Sequence, residues 1–415
     1  MWAETSFFYH IYPLGFCGVP LANDFVSVPG FRLSKIYDWL PHLHQLRINA
    51  LYLGPVFESS THGYDIQDYT LIDRRLGDNA NFKQLIKDLH HNSIKVVVDA
   101  VFNHVGRDFF AFRDVCQHRQ SSKYFSWFKL DFSHNNHFND GFCYEGWDGC
   151  DDLVKLNLSN PEVRKYLLSV AEGWIDEFDI DGLRLDVAHY LPVKFLRELK
   201  QLCSLRKNDF WLMGEVVFGN YNRLVNSSML DSCTNYELYH TLHTSFNNKN
   251  LIKLAQTLER QFGKNGIYSK HCLYNFLDNH DVSRIASQIK NRQQLKVLYG
   301  MMYTLPGISS IYYGSEWGAK GRKSNSDSEV RACFSNPQNN DLSQYISSLA
   351  EIRAKSPALL SGTFKLIKAQ KEIIVFERNI KLQSIVIAVN IGENMQKITV
   401  DNKEINLSSY SIELI

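Results

Sequence analysis

The feature that most restricts what this chain can fold into is an alternation, kept up from Phe7 to about Ala354, of short apolar or β-branched runs with amphipathic helical stretches. Such runs separated by helix-length segments imply βα units and a parallel sheet, because parallel neighbours need a crossover that a tight turn cannot supply. Eight runs are predicted as strands: 7–13, 50–55, 95–102, 182–188, 210–217, 229–235, 272–279 and 309–316. The helical stretches include 80–91 and 161–178, the second opening on Asn160 as cap with Pro161 at the first helical position. Together they predict an α/β fold, a (β/α)8 TIM barrel.

Two segments break the alternation. Between the third run and the helix at 161 the sequence is rich in Asn, Asp, Gly, His and aromatics and is too long for a simple loop. A small inserted domain is therefore expected over 105–159, after strand three. Beyond Pro357 the runs GTFKLI, IIVFERN, SIVIAVNI, QKITVD and YSIELI follow one another without helices, which predicts a C-terminal antiparallel β domain over 357–415. The barrel would then comprise 1–104 and 160–356.

Composition removes several classes of function. The 415 residues carry 45 Lys+Arg against 44 Asp+Glu, a net charge of +1 without basic runs. No nucleic-acid partner is expected, since phosphate neutralisation needs clustered cations. No membrane association is expected either: the longest apolar stretch, 297–313, is broken by Pro306 and by glycines and serines, short of the roughly 20 apolar residues of a span. The start MWAETSFFYHIYP has neither the basic region nor the cleavage site of a secretion signal, so a cytoplasmic location is expected. Eight scattered cysteines without a CxxC pair read as reduced thiols. His134, His137, Cys143 and Cys150 are zinc-ligand types, but their spacing fits no usual knuckle and they read as parts of a loop.

Catalytic groups in such a barrel gather at the C-terminal ends of the strands, where the loops converge on one open face. The strand ends offer Asp99, Asn103 and His104 after strand three, Arg184 and Asp186 on strand four, Glu215 on strand five, and Asn279, His280 and Asp281 on strand seven. A lone acidic residue there is an ordinary helix cap or ion-pair partner, whereas joint occurrence on four strands points to acid–base chemistry. Two carboxylates can form the nucleophile and acid pair of a retaining glycosidase, and a third can stabilise an oxocarbenium-like transition state. Arg184, two residues before Asp186, shares its face of the strand and is expected to keep it ionised and oriented.

The stretches DAVFNH (99–104), GLRLDVA (182–188), GEV (214–216) and FLDNHD (276–281) resemble, in order and spacing, the four signature stretches of the α-amylase family, glycoside hydrolase family 13. The resemblance implies that Asp186 is the nucleophile, Glu215 the general acid/base and Asp281 the transition-state stabiliser. It implies that Arg184, His104 and His280 contact the sugar, that Tyr64 in HGYDIQDY stacks beneath it, and that Asp327 and Arg331 in SDSEVR meet its far hydroxyls. The stretch LVKLNLSNPEV (153–163) is most similar to the neopullulanase, cyclomaltodextrinase and maltogenic amylase group. That group usually carries an extra N-terminal β domain that helps form dimers. Here strand one starts at about Phe7, so no such domain is expected and the oligomeric state is left open. After RLDVA the group shows Asn-Glu where this chain has His189-Tyr190, which implies a different acceptor subsite. Asn103 is a calcium ligand in many secreted relatives, but its usual His partner is replaced by Tyr190, so calcium is not favoured, no metal or cofactor is expected, and Asn103 reads as structural.

The implied activity is retaining hydrolysis of α-1,4-glucosidic bonds in maltooligosaccharides or cyclodextrins by double displacement, with an α-glucan oligosaccharide as the partner. Glycosyl transfer by the same residues is the alternative; a non-catalytic glucan-binding protein is disfavoured by the full set of carboxylates. Trp127, Phe128, Tyr144 and Trp147 are either core or sugar platform, with one platform expected among them, and Trp317 is either a rim or a packing residue.

Overall fold

The structure, a computed structural model, describes residues 1–324, 326–400 and 403–415. Its centre is a closed barrel of eight parallel strands: β1 (Phe7–Ile11), β2 (Ala50–Leu53), β3 (Lys95–Ala100), β4 (Gly182–Leu185), β5 (Trp211–Gly214), β6 (Ser232–Cys233), β7 (Tyr274–Asn275) and β8 (Ile308–Tyr312). Neighbours pair in parallel from β6 through β5, β4, β3, β2 and β1 to β8 and β7. A parallel bridge between Thr234 and Tyr274 closes the ring. Seven strands fall inside the runs anticipated from the sequence and β8 begins one residue before its run, at Ile308; each is shorter than its run because the last residues leave the ladder to line the open face.

Strand alternation divides the labour. On β1, Phe7, Tyr9 and Ile11 face the outer helices while Phe8 joins an inner cluster with Ala50, Tyr52, Val97, Trp211, Met213 and Tyr274. The inward positions are apolar at the bottom of the barrel and become polar one or two steps higher: Val97 is followed by Asp99, and Arg184 by Asp186. The backbone ladder continues past the strand ends, Asp186 N–H donating to Ala100 O at 3.1 Å and Glu215 N–H to Leu185 O at 2.9 Å. Both carboxylates thus stand on paired backbone rather than on free loop. The helix Pro161–Phe178 begins as expected, the Asn160 side chain accepting from the Glu162 N–H.

The segment between β3 and this helix forms a three-stranded antiparallel sheet of His104–Gly106, Cys150–Lys155 and Gly146–Trp147, beside a two-stranded ribbon, Leu130–Asp131 with Cys143–Tyr144. The C-terminal segment is antiparallel β structure: β9 (Thr363–Ala369), β10 (Ile373–Ile380), β11 (Gln383–Asn390), β12 (Gln396–Val400), β13 (Lys403–Leu407) and β14 (Ser411–Leu414), with sheet order β9-β10-β11-β14 and a separate β12-β13 ribbon. Two features depart from the sequence reading. Pro357–Ser361 is a short helix capped by Ser356, and β13 is an additional strand. The C-terminal sheet seats on the barrel helices through close approach: a Cβ on Gly300 would lie 2.6 Å from Ile412 Cγ2. The buried Arg378 adds a hydrogen bond of 2.6 Å to Thr304 O.

Candidate active site

At the C-terminal mouth of the barrel lies a cleft of about 580 Å³ lined by Tyr64, His104, Trp147, Asp186, Glu215, Asp281, Asp327 and Arg331 among others. Arg184 lies beneath it at the centre of a charge cluster. Its Nη1 donates to Asp99 Oδ1 at 2.9 Å and to Asp186 Oδ1 at 2.8 Å, while Nη2 pairs with Glu215 Oε1 at 2.8 Å. One planar guanidinium therefore holds two carboxylates side by side, a geometry that a lysine ammonium could not fix. The nine sequence-predicted site residues are all brought to this mouth, seven lining the cleft and Arg184 directly below. His280 is the second that is withdrawn from the surface, buried behind Asp281 and Tyr64.

Asp99 braces the strand end: besides Arg184 it accepts from the Tyr52 hydroxyl at 2.9 Å and the Tyr64 hydroxyl at 3.1 Å. Glu215 accepts from the backbone N–H of Val187 at 3.0 Å. Val187 has φ 42°, a left-handed conformation costly for a β-branched residue, and the strain is stored where the backbone turns from Asp186 towards Glu215. Across the cleft Asp281 is gripped by Arg331 Nη2 at 3.0 Å and His280 Nε2 at 2.9 Å, and Arg331 also pairs with Asp327 at 2.9 Å. Tyr64 and His280 lie ring over ring, 5.6 Å apart at 7°, with hydroxyl and Nε2 in contact. Lys323, which the sequence reading passed over, is 2.6 Å from Asp327 and 3.9 Å from Asp281.

Charge and burial set the protonation states. Burial opposes ionisation of Asp281, but His280, Arg331 and Arg184 outweigh it and hold the carboxyl well below the usual range. Asp186 goes the other way: burial raises its carboxyl well above the usual value, Arg184 opposes, and the carboxylates of Glu215 and Asp99 add to the rise. The expectation that Arg184 keeps Asp186 ionised is thus met in orientation only, since one cation is shared among three carboxylates. Burial holds His104 down at about 3, so it is neutral at any working pH. Its buried Nε2 has no partner and its ring lies parallel to Trp147 at 5.9 Å.

The remaining expectations divide. Trp127 and Phe128 are buried in the inserted segment, whereas Trp147 lines the cleft and is the one of the four aromatic residues placed to meet a ligand. Trp317 is a packing residue, buried against Trp39 at 5.8 Å and Phe334 at 5.3 Å. Asn103 is internal, its Nδ2 lying 3.2 Å from His104 Nδ1 and its carbonyl accepting from Leu156. His134 pairs with Asp131 at 2.9 Å and His137 with Asp151 at 3.0 Å. Among the described residues no group of three or more His, Cys, Asp or Glu is arranged to hold a metal ion, and no helix is long and apolar enough to cross a membrane. Cleft-lining positions that carry no motif signal are Val217 and Phe218. They share the rim with His189 and Tyr190, the pair noted after RLDVA; Tyr190 is 49% and Phe218 62% exposed.

The same architecture is found in known proteins. Residues 32–350 match the model of the alpha amylase catalytic domain, and residues 362–410 that of an alpha-amylase C-terminal domain. A cyclomaltodextrinase of Thermoanaerobacter pseudethanolicus is 32% identical over 97% of this chain and 73% of its own length. An intracellular maltogenic amylase of Bacillus subtilis is 29% identical over 98% of this chain and 71% of its own. Among solved structures, the cyclic alpha-maltosyl-(1→6)-maltose hydrolase of Arthrobacter globiformis superposes with a TM-score of 0.87 at 27% identity, covering 100% of this chain and 99% of that one.

Proposed function

The chain belongs to the α-amylase family and is a glycoside hydrolase of that family, and from that premise we propose that it hydrolyses α-1,4-glucosidic bonds in maltooligosaccharides or cyclodextrins with retention of configuration. The observation that carries the reading is the pairing of Asp186 and Glu215 on one Arg184 guanidinium. It keeps the two carboxyls as near neighbours, as a retaining pair at about 5–5.5 Å requires.

In the first step Glu215 donates its proton to the glycosidic oxygen while an Asp186 oxygen attacks the anomeric carbon; the old C–O bond breaks and a glycosyl ester forms. In the second, Glu215 takes a proton from water, the water oxygen attacks the same carbon, and Asp186 leaves as carboxylate. Asp281, kept ionised by His280, Arg331 and Arg184, faces the positive charge that develops on the sugar. Tyr64 offers a ring face to the sugar, and His104 Nε2 and Arg331 offer polar contacts at its two sides. The names of the relatives, cyclomaltodextrinase and maltogenic amylase, support short or cyclic α-glucans as the substrate class.

A second reading, glycosyl transfer, is favoured by the exposed rings of Tyr190 and Phe218 beside Glu215. Such faces can hold a sugar acceptor where water would otherwise resolve the ester. The test of the main reading is Asp186→Asn: the amide keeps the shape but cannot form the ester, so turnover should fall by several powers of ten in a protein of unchanged melting temperature. At about 1.36 kcal/mol per tenfold, a variant keeping more than about a tenth of the rate has lost too little barrier stabilisation for Asp186 to be the nucleophile.

A further inference from the structure

One fully buried cation beside the cleft takes no part in the carboxylate cluster. Arg284 stands three residues beyond Asp281 in the same loop, and its guanidinium lies among the rings of Tyr312, Tyr313 and Phe334 at 4.7, 5.2 and 5.2 Å. Its side-chain hydrogen bonds go to uncharged acceptors: Nη1 donates to Tyr313 O at 2.8 Å and to Ser315 Oγ at 3.3 Å, and Nη2 donates to Val330 O at 3.0 Å. Burying a cation among carbonyls is costly. What the protein gains from it is a hold on the backbone.

That stretch of backbone has little else to fix it. Residues 328–334 form a turn followed by irregular chain, so Arg331 stands on no strand or helix while its Nη2 reaches Asp281 at 3.0 Å and Asp327 at 2.9 Å. Three successive carbonyls around it are instead secured by neighbouring segments. Val330 O accepts from Arg284 and also from the Tyr312 hydroxyl at 2.9 Å, and Ala332 O accepts from the Tyr313 hydroxyl at 2.8 Å. Arg331 O lies so close to the chain after β1 that a Cβ on Gly15 would stand 2.0 Å from it. The contacts run in a closed circuit: from Asp281 to the Arg331 side chain, from Val330 O to Arg284, and back along the chain to Asp281.

We propose that Arg284, together with Tyr312, is a positioning residue for Arg331: by gripping Val330 O it sets the place from which Arg331 holds Asp281. The three rings confine the guanidinium to one orientation, and its fork ties the chain just past β8, at Tyr313, to the turn before Arg331. A lysine would keep the charge but lose the planar fork that takes Tyr313 O and Val330 O together. The inference deepens the proposed roles of Asp281 and Arg331 and rests on them.

The test combines a crystal structure with a double-mutant cycle. In Arg284→Lys the Arg331 guanidinium is expected to leave hydrogen-bond reach of Asp281, and kcat/KM on an aryl maltoside to fall roughly tenfold, the worth of one hydrogen bond from a charged group. In an Arg331→Met background the same substitution should change kcat/KM by less than about twofold, because the residue it acts through is already gone. A general loosening of the loops would slow both backgrounds alike. An Arg331 that keeps its pairing with Asp281 in the Arg284→Lys crystal, an unchanged rate in Arg284→Lys, or equal losses in the two backgrounds overturns the proposal. Should Arg284→Lys fail to fold, Tyr312→Phe, which removes the other donor to Val330 O, is carried through the same crystal and cycle, and the same outcomes decide. The crystal needs no turnover, so it stands apart from the Asp186→Asn experiment, whose failure would overturn the reaction assignment instead.

Discussion

Arg184 serves three carboxylates with one charge, and that shortfall sets how the site titrates. Asp99, Asp186 and Glu215 all contact the guanidinium, in a pocket where burial already penalises negative charge. The carboxyl of Asp186 is accordingly raised above its ordinary value of 3.8. The sign follows directly: a nucleophile works only when ionised, so activity is lost as pH falls through the raised value. The acid limb of kcat/KM, which reports the free enzyme, is predicted to lie above 3.8; a profile still flat at that pH would mean that the cluster does not hold its proton. Glu215 makes a separate prediction. Glu215→Gln should depress hydrolysis of maltooligosaccharides far more than that of an aryl maltoside with a good leaving group, because acid assistance matters only for a poor one. Equal losses on the two substrates, measured side by side, would remove Glu215 from the role of acid.

The strands carry this constellation because their inward residues change from apolar to polar along a single face. That change was legible in the sequence: GLRLDVA has Leu183 and Leu185 directed outward and Arg184 and Asp186 inward, and period-two alternation is readable without a structure. The entry of β4 is fixed by a carboxylate at its opposite end. The buried Asp181 accepts from the Val96 N–H at 2.8 Å, from His90 at 2.7 Å, and from Lys95 and Lys207 at 2.9 Å each. Burial opposes ionisation, but His90, Lys207 and Lys95 win and depress the carboxyl. Asp181→Asn is predicted to cost about 2 kcal/mol near neutral pH by chemical denaturation. A depressed acid contributes in full above its unfolded value and loses that contribution as pH falls towards its lower folded value, so the gap between variant and wild type should narrow as pH falls below 3.8. A gap independent of pH would mean that shape rather than charge is what Asp181 supplies. Elements without such a pattern were not legible. KEINL in β13 has a single buried residue, Leu407, too little alternation to mark a strand until β12 pairs with it. The helix Pro357–Ser361 is too short for a helical period to show. Val187 owes its importance to a backbone angle, which is not visible in a residue type.

The whole molecule determines which glucans can reach these residues. The C-terminal sheet packs against the flank of the barrel, and among the described residues none that lines the cleft comes from it, so its contribution is to hold the helix of Gly300 and Thr304 in place. The inserted segment does reach the cleft: Trp147, Asp148 and Leu153 form one wall, and the loop carrying Lys323, Asp327 and Arg331 forms the other. Both walls are fixed by buried or paired side chains, Trp147 against His104 and Arg331 against Asp281 and Asp327. A cleft of about 580 Å³ between two such walls suits a short or closed chain that enters end-on or as a ring, and a long helical polymer would have to be threaded through it. That loss is steric and falls on association. Comparison of kcat/KM on maltoheptaose, β-cyclodextrin and soluble starch is therefore predicted to rank starch last. If starch ranked first, the wall formed by the inserted segment would have to move away from Glu215 to admit it, and narrowing of the cleft would not be what selects the substrate.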